Sequence, residues 1–114
     1  ETDTTVVITT DHGCILSKHA TLAHGNRNTS SGLRFKYGKS LRSDERQSHL
    51  VPKPEDYGLP SVGQGTNYIL CKDDYFFVYP TNFNEYQAKY ANSFQHGGIS
   101  LEECVLPVAV LKGK

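Results

Sequence analysis

The chain has 114 residues, which suits one domain, with 37% apolar residues and a formal net charge of zero. Seven Tyr and five Phe supply bulk for a core, and recurring apolar runs without net charge exclude a disordered chain. No apolar run approaches the ~20 residues of a transmembrane helix, and no signal peptide is visible, so no membrane partner is expected.

The sequence contains no Met, and polar "ETDTT" leads straight into a strand. This reads as a piece cut from a longer polypeptide. Thr4 to Thr9 is a β-branched run, the pattern of a strand buried on both faces in a parallel sheet. Asp11-His12-Gly13 falls just past its end, where open α/β sheets place their ligands.

Cys14 to Leu50 shows little periodicity and is rich in turn residues. Within it, "LRFKYG" (Leu33 to Gly38) alternates apolar and basic residues, which predicts one short strand with a basic face. Between Asn26 and Lys53 seven Lys/Arg stand against two acids, so this long loop is strongly basic and the remainder acidic. A solvated loop and the electrostatic rim of a phosphate-binding site both fit that pattern. Basic residues beside Phe35 and Tyr37 also suit an oligonucleotide. Three prolines make "VPKPEDYGLP" irregular.

Tyr68 to Cys71 and Tyr75 to Tyr79 read as the two strands of a β-hairpin turning at Lys72-Asp73-Asp74. "NFNEYQAKYANSF" reads as a helix, with Asn84 as its cap, Gln87 completing a capping box, and Tyr86 and Tyr90 on one face. Ser100 and Glu103 form a second capping box and open a short helix bounded by Pro107. Val108 to Leu111 is expected as a final strand, in one sheet with the strand near Val6. The fold class is α/β, a single segment over residues 1–114. Cys14, Cys71 and Cys104 have no disulfide-like spacing, which suits a reducing compartment. Cys71 and Cys104 sit in apolar runs and are expected to be buried.

Two elements carry chemistry. Asp11 and His12 supply a carboxylate and an imidazole, good donors for zinc, with Gly13 permitting a bend and a close approach to a ligand. His96 precedes two glycines and a helix N-terminus that favours anions. Taken alone, the first reads more readily as a polar turn and the second as a loop histidine. His19, His24 and His49 match no zinc spacing and are expected at the surface.

Together, "TTDHG" and "QHGGISLEE" resemble the C-terminal metal-binding motifs of the alkaline phosphatase superfamily, and within it the PglZ domain. "GNRNTSSGLRFKYGK", "DDYFFVYPTNFNEY" and "FQHGGISLEE" are most similar to PorX-type response regulators, cytoplasmic two-component proteins with a receiver domain in front. The resemblance spans nearly the whole chain. It implies the C-terminal portion of an alkaline-phosphatase-like sheet flanked by helices. It further implies a two-zinc phosphatase or phosphodiesterase acting on phosphate esters, including nucleotides. Asp11 and His12 would hold one zinc ion and His96 the other. A Thr or Ser nucleophile and further Asp and His ligands would come from the upstream part of the domain, so that this chain alone would be inactive. Arg27 and Arg34 are the expected phosphate contacts, since guanidinium matches phosphate in a bidentate way. The alternative is a non-catalytic regulatory module that binds protein or oligonucleotide. Without the upstream half, bare apolar edges would invite homo-oligomerisation.

Overall fold

In the computed structural model, which describes residues 3–26 and 32–113, nine strands form four small sheets, accompanied by two α-helices. The strands are β1 (Thr5–Thr9), β2 (Ile15–Ser17), β3 (His19–Leu22), β4 (Phe35–Lys39), β5 (Ser48–Val51), β6 (Thr66–Cys71), β7 (Tyr75–Val78), β8 (Ser93–Gln95) and β9 (Val108–Lys112). The helices are α1 (Phe83–Tyr90) and α2 (Leu101–Cys104). The α/β class therefore stands. Among the described residues no helix is long and apolar enough to cross a membrane.

The first and last strands do share a sheet, but an antiparallel one: β1 pairs with β9 from Thr5↔Lys112 to Thr9↔Val108. The expected burial on both faces is absent. Every residue of β1 and β9 is exposed, including Val6, Val7, Ile8, Val108, Val110 and Leu111. Alternating residues put Val6, Ile8 and Leu111 on one face and Val7, Val108 and Val110 on the other. The ribbon is thus apolar on both sides and bare on both. The chain measures 61 × 34 × 23 Å with a radius of gyration of 17.5 Å, against about 13 Å for a compact domain of this length.

The packed body lies elsewhere. β6 sits between β4 and β5, antiparallel to both, while β7 runs parallel to β3. The expected hairpin is therefore corrected: β6 and β7 exist, but they belong to different sheets. The reason is burial. Phe76, Phe77 and Val78 are consecutive and all buried, so β7 needs cover on both faces, which a two-stranded hairpin does not supply. Leu33 joins the sheets by accepting from Phe77 N–H at 2.7 Å. The core gathers Ala23, Leu41, Ile69, Cys71 and Phe77, with Tyr75 and Tyr79 packed against it. Each large apolar side chain removed from water there stabilises the fold by about 1.5–3 kcal/mol.

The strand predicted around Leu33 to Gly38 is β4, with its faces reversed. Lys36 is buried, beneath the Tyr79 ring with its Nζ 5.0 Å from the centroid, while Phe35 and Tyr37 are half-buried. Burial pushes the Lys36 ammonium pKa down from its ordinary value. The region expected to be turn-rich also contains β2, β3 and β5. The proline segment is irregular apart from one 3-10 turn, Pro54–Tyr57, closed by Gly58 in the left-handed conformation. α1 starts before its expected cap: Asn82 is the N-cap residue, and no side-chain cap bond forms. Tyr86 and Tyr90 share a face and stack with centroids 5.9 Å apart.

Candidate functional site

The β1–β9 pairing delivers Asp11 and His12 to the loop before α2. Thr9 Oγ1 donates to Pro107 O at 2.9 Å, which ties the ribbon's end to the chain leaving α2. Thr10 Oγ1 donates to His12 O at 2.9 Å and turns the backbone. The His12 ring then stacks on His96, centroids 3.8 Å apart and planes within 15°. The two motifs, remote in sequence, meet face to face.

His12 Nδ1 lies 2.8 Å from Gly13 O. A carbonyl only accepts, so Nδ1 carries the proton and Nε2 presents the lone pair. Nε2 is 3.7 Å from Asp11 Oδ1. His12 beside Asp11, then local backbone N–H groups and the Thr10 hydroxyl, hold the Asp11 carboxyl below its ordinary pKa. The side chains of Asp11 and His12 are 86% and 45% exposed, and His96 is exposed as well. The group forms an open lip. One carboxylate and two imidazoles are suitable zinc donors. Among the described residues no group of three or more His, Cys, Asp or Glu, Asp11, His12 and His96 together included, is placed to hold one metal ion. The donors fit zinc chemically, as part of a ligand set.

The glycines serve the protein's own backbone. A β-carbon on Gly13 would lie 1.8 Å from Glu102 O, so Gly13 lets α2 approach, and Gly13 N–H donates to Glu103 O at 3.0 Å. Gly97 takes a φ of 99° against the Phe35 ring. A β-carbon on Gly98 would lie 2.6 Å from Arg34 Nη2 and 2.8 Å from Cys71 O. The anion expected at the N-terminus of α2 is the chain's own Glu103. Its carboxylate accepts from Ser100 N–H at 3.0 Å, Ser100 Oγ at 2.7 Å and Gly98 N–H at 2.8 Å.

Arg34 was expected to meet substrate phosphate. The structure corrects this. Its side chain is fully buried and forms a two-pronged pair with Glu103, Nε to Oε1 at 3.0 Å and Nη2 to Oε2 at 2.6 Å. Nη1 donates to the Tyr75 and Lys72 carbonyls. No face of the guanidinium is left for a ligand. Arg27 lies outside the described residues. Of the other basic residues in the segment, Lys36 is buried and Arg46 pairs with Asp44 at 3.0 Å. Lys39, Arg42 and Lys53 remain exposed. The cleft beside the site, about 570 Å³, includes Lys18, Asp73, Asp74 and Glu102 in its walls and is net acidic.

Burial alone would raise the Glu103 pKa, but the bonds from Arg34, Ser100 and Gly98 outweigh it and bring it down to about 2, from 4.5. A depressed carboxylate stabilises the fold fully above its unfolded value. That contribution, about 3 kcal/mol, is therefore expected to disappear as pH falls from 4.5 towards 2. Urea midpoints measured across that window check this. A flat profile there would show that Glu103 is not held as the geometry describes.

His19, His24 and His49 are exposed, as expected. His19 Nδ1 pairs with Asp74 at 2.9 Å. The cysteines are free. Cys71 is buried, and its thiol pKa is pushed up by burial. Cys104 is exposed, contrary to expectation, because the outer side of α2 has no cover. Sequence reasoning missed the pairing of Arg34 with Glu103. The capping box marked Glu103, but no local signal named its distant partner.

A family model described as the BREX system PglZ alkaline phosphatase-like domain matches residues 2–111. No curated protein matches the chain.

Proposed function

Because the chain belongs to the PglZ family of alkaline phosphatase-like domains, we propose that it supplies part of a two-zinc phosphoesterase centre. Asp11 and His12 serve one ion and His96 the other. The observation that carries this reading is the parallel His12–His96 stack. Imidazole lone pairs lie in the ring plane. Rings stacked with centroids 3.8 Å apart and planes within 15° keep their lone pairs in two separate planes, so the two imidazoles do not aim at one point. That suits one ring per ion, since paired catalytic ions stand about 3.5–4 Å apart. Asp11 Oδ1 and His12 Nε2, 3.7 Å apart, suit a shared ion: two tetrahedral ligands at ~2.0 Å are separated by roughly 3.3 Å.

When bound, such a pair of ions activates a nucleophile and stabilises charge on the leaving oxygen. The chain's own residues orient the ligands: Gly13 O fixes the His12 tautomer, and the Asp11 carboxylate stays ionised. The Thr or Ser nucleophile and the remaining ligands belong, in this reading, to upstream sequence that packs on the bare β1–β9 ribbon. The finer likeness to PorX-type response regulators makes phosphate diesters, nucleotides among them, the first substrates to try. A cytoplasmic setting goes with it. Elemental analysis of the full-length protein is expected to find about two zinc ions, lost on Asp11→Asn or His96→Ala. Hydrolysis of a chromogenic phosphodiester should stop with a chelator.

A second reading, a module that only binds a partner, is favoured by that same two-sided apolar ribbon. Metal content separates the two. A full-length protein free of zinc and other transition metals leaves the partner-binding reading alone.

A further inference from the structure

Glu103 is tied by its side chain to the body of the fold and to the His96 loop, and by its backbone to the His12 loop. Its carboxylate is held from one side by Arg34, which reaches on to the Lys72 and Tyr75 carbonyls of the β6–β7 turn. From the other side it accepts Gly98 N–H, two residues beyond His96. Its backbone carbonyl accepts Gly13 N–H, one residue beyond His12. A carboxylate offers about four lone-pair sites. Five donors converge on this one: Nε and Nη2 of Arg34, Gly98 N–H, and the N–H and Oγ of Ser100. The glycine contacts close the assembly. Side chains at Gly13 or Gly98 would meet Glu102 O or the Arg34 guanidinium.

We propose that Glu103, anchored by Arg34, is a positioning residue that holds His96 in register against His12. The importance of that register for metal binding rests on the two-zinc reading. The stacking contact itself does not.

Glu103→Gln preserves size but turns one acceptor oxygen into a donor facing Arg34 and either Gly98 or Ser100. It frees the His96 loop and leaves the backbone bond to Gly13 in place. NMR of the full chain with labelled imidazoles reads this directly. The wild type is expected to show a nuclear Overhauser contact between the two rings. In Glu103→Gln that contact should vanish, while Gly13 N–H keeps its protection from exchange. Titration with zinc chloride should show at least a tenfold loss of affinity, the order typical when a group orienting a metal ligand is removed. A general loss of structure in Glu103→Gln would remove the protection of Gly13 together with the ring contact, and the decision then passes to a second variant. Ser100→Ala removes one donor and spares the ion pair. It should weaken the ring contact in a folded chain, and it decides alone if Glu103→Gln does not fold. An unaltered ring contact in the folded variants, or none in the wild type, overturns the proposal. A wild type with the ring contact but no zinc binding overturns the metal reading and leaves the positioning role standing.

Discussion

Arg34→Ala is expected to lower the stability of the fold by about 3–5 kcal/mol and its melting temperature by about 10–20 °C. The argument is one of isolation. Glu103 has a side chain only 3% exposed, and its carboxylate is ionised because the guanidinium faces it. Truncation leaves that charge buried with Ser100 and Gly98 as its remaining donors. It also leaves the Lys72 and Tyr75 carbonyls without the Arg34 donor. Removing both charges together should cost less than removing one, since an apolar pair of similar volume needs no compensation. The double variant Arg34→Met/Glu103→Leu is therefore expected to recover part of the loss. Arg46 is the internal control. Its pair with Asp44 lies in water, with the Arg46 side chain 89% exposed. Arg46→Ala should leave the urea midpoint where it is. An Arg34→Ala midpoint as unaffected as that of Arg46→Ala would mean that the buried pair does not form.

This pair also marks where the sequence stops being legible. Local signals transferred well. The β-branched run became β1, Val108 onward became β9, and the Ser100–Glu103 spacing became a capping box. DHG and HGG were visible because short motifs need no knowledge of the rest of the chain, and the β1–β9 register is what brings them together. Partner choice was not visible. β6 and β7 flank a good turn, yet three consecutive buried residues send β7 to β3. β2, β3 and β5 run for only three or four residues, too few for alternation to stand out. The basic alternation in "LRFKYG" was real, but its direction depended on partners far along the chain. Arg34 turns inward because Glu103 waits there, and Lys36 does so beneath Tyr79. A residue's charge predicts a wet face only when nothing buried can pair with it.

Gly13→Ala tests the same architecture from the other loop. Gly13 needs no unusual backbone angle, so the demand for glycine is one of space. The added methyl would stand 1.8 Å from Glu102 O and 2.9 Å from its carbonyl carbon. Both are backbone atoms, which do not swing aside as a side chain does. The loop must back away by more than an ångström, breaking the Gly13 N–H bond to Glu103 O and drawing His12 off His96. The expected cost is about 3 kcal/mol, at the upper end for inserting a methyl into a packed site. Gly63→Ala is the contrasting case: its φ of 117° is strained for alanine, but open space surrounds it. It should lose less stability and leave the ring contact intact. Urea unfolding and the inter-ring contact, measured on both variants, check this. Wild-type stability and an unbroken His12–His96 contact in Gly13→Ala would show that the Gly13 backbone is not packed against α2 and that this packing does not hold the two rings together.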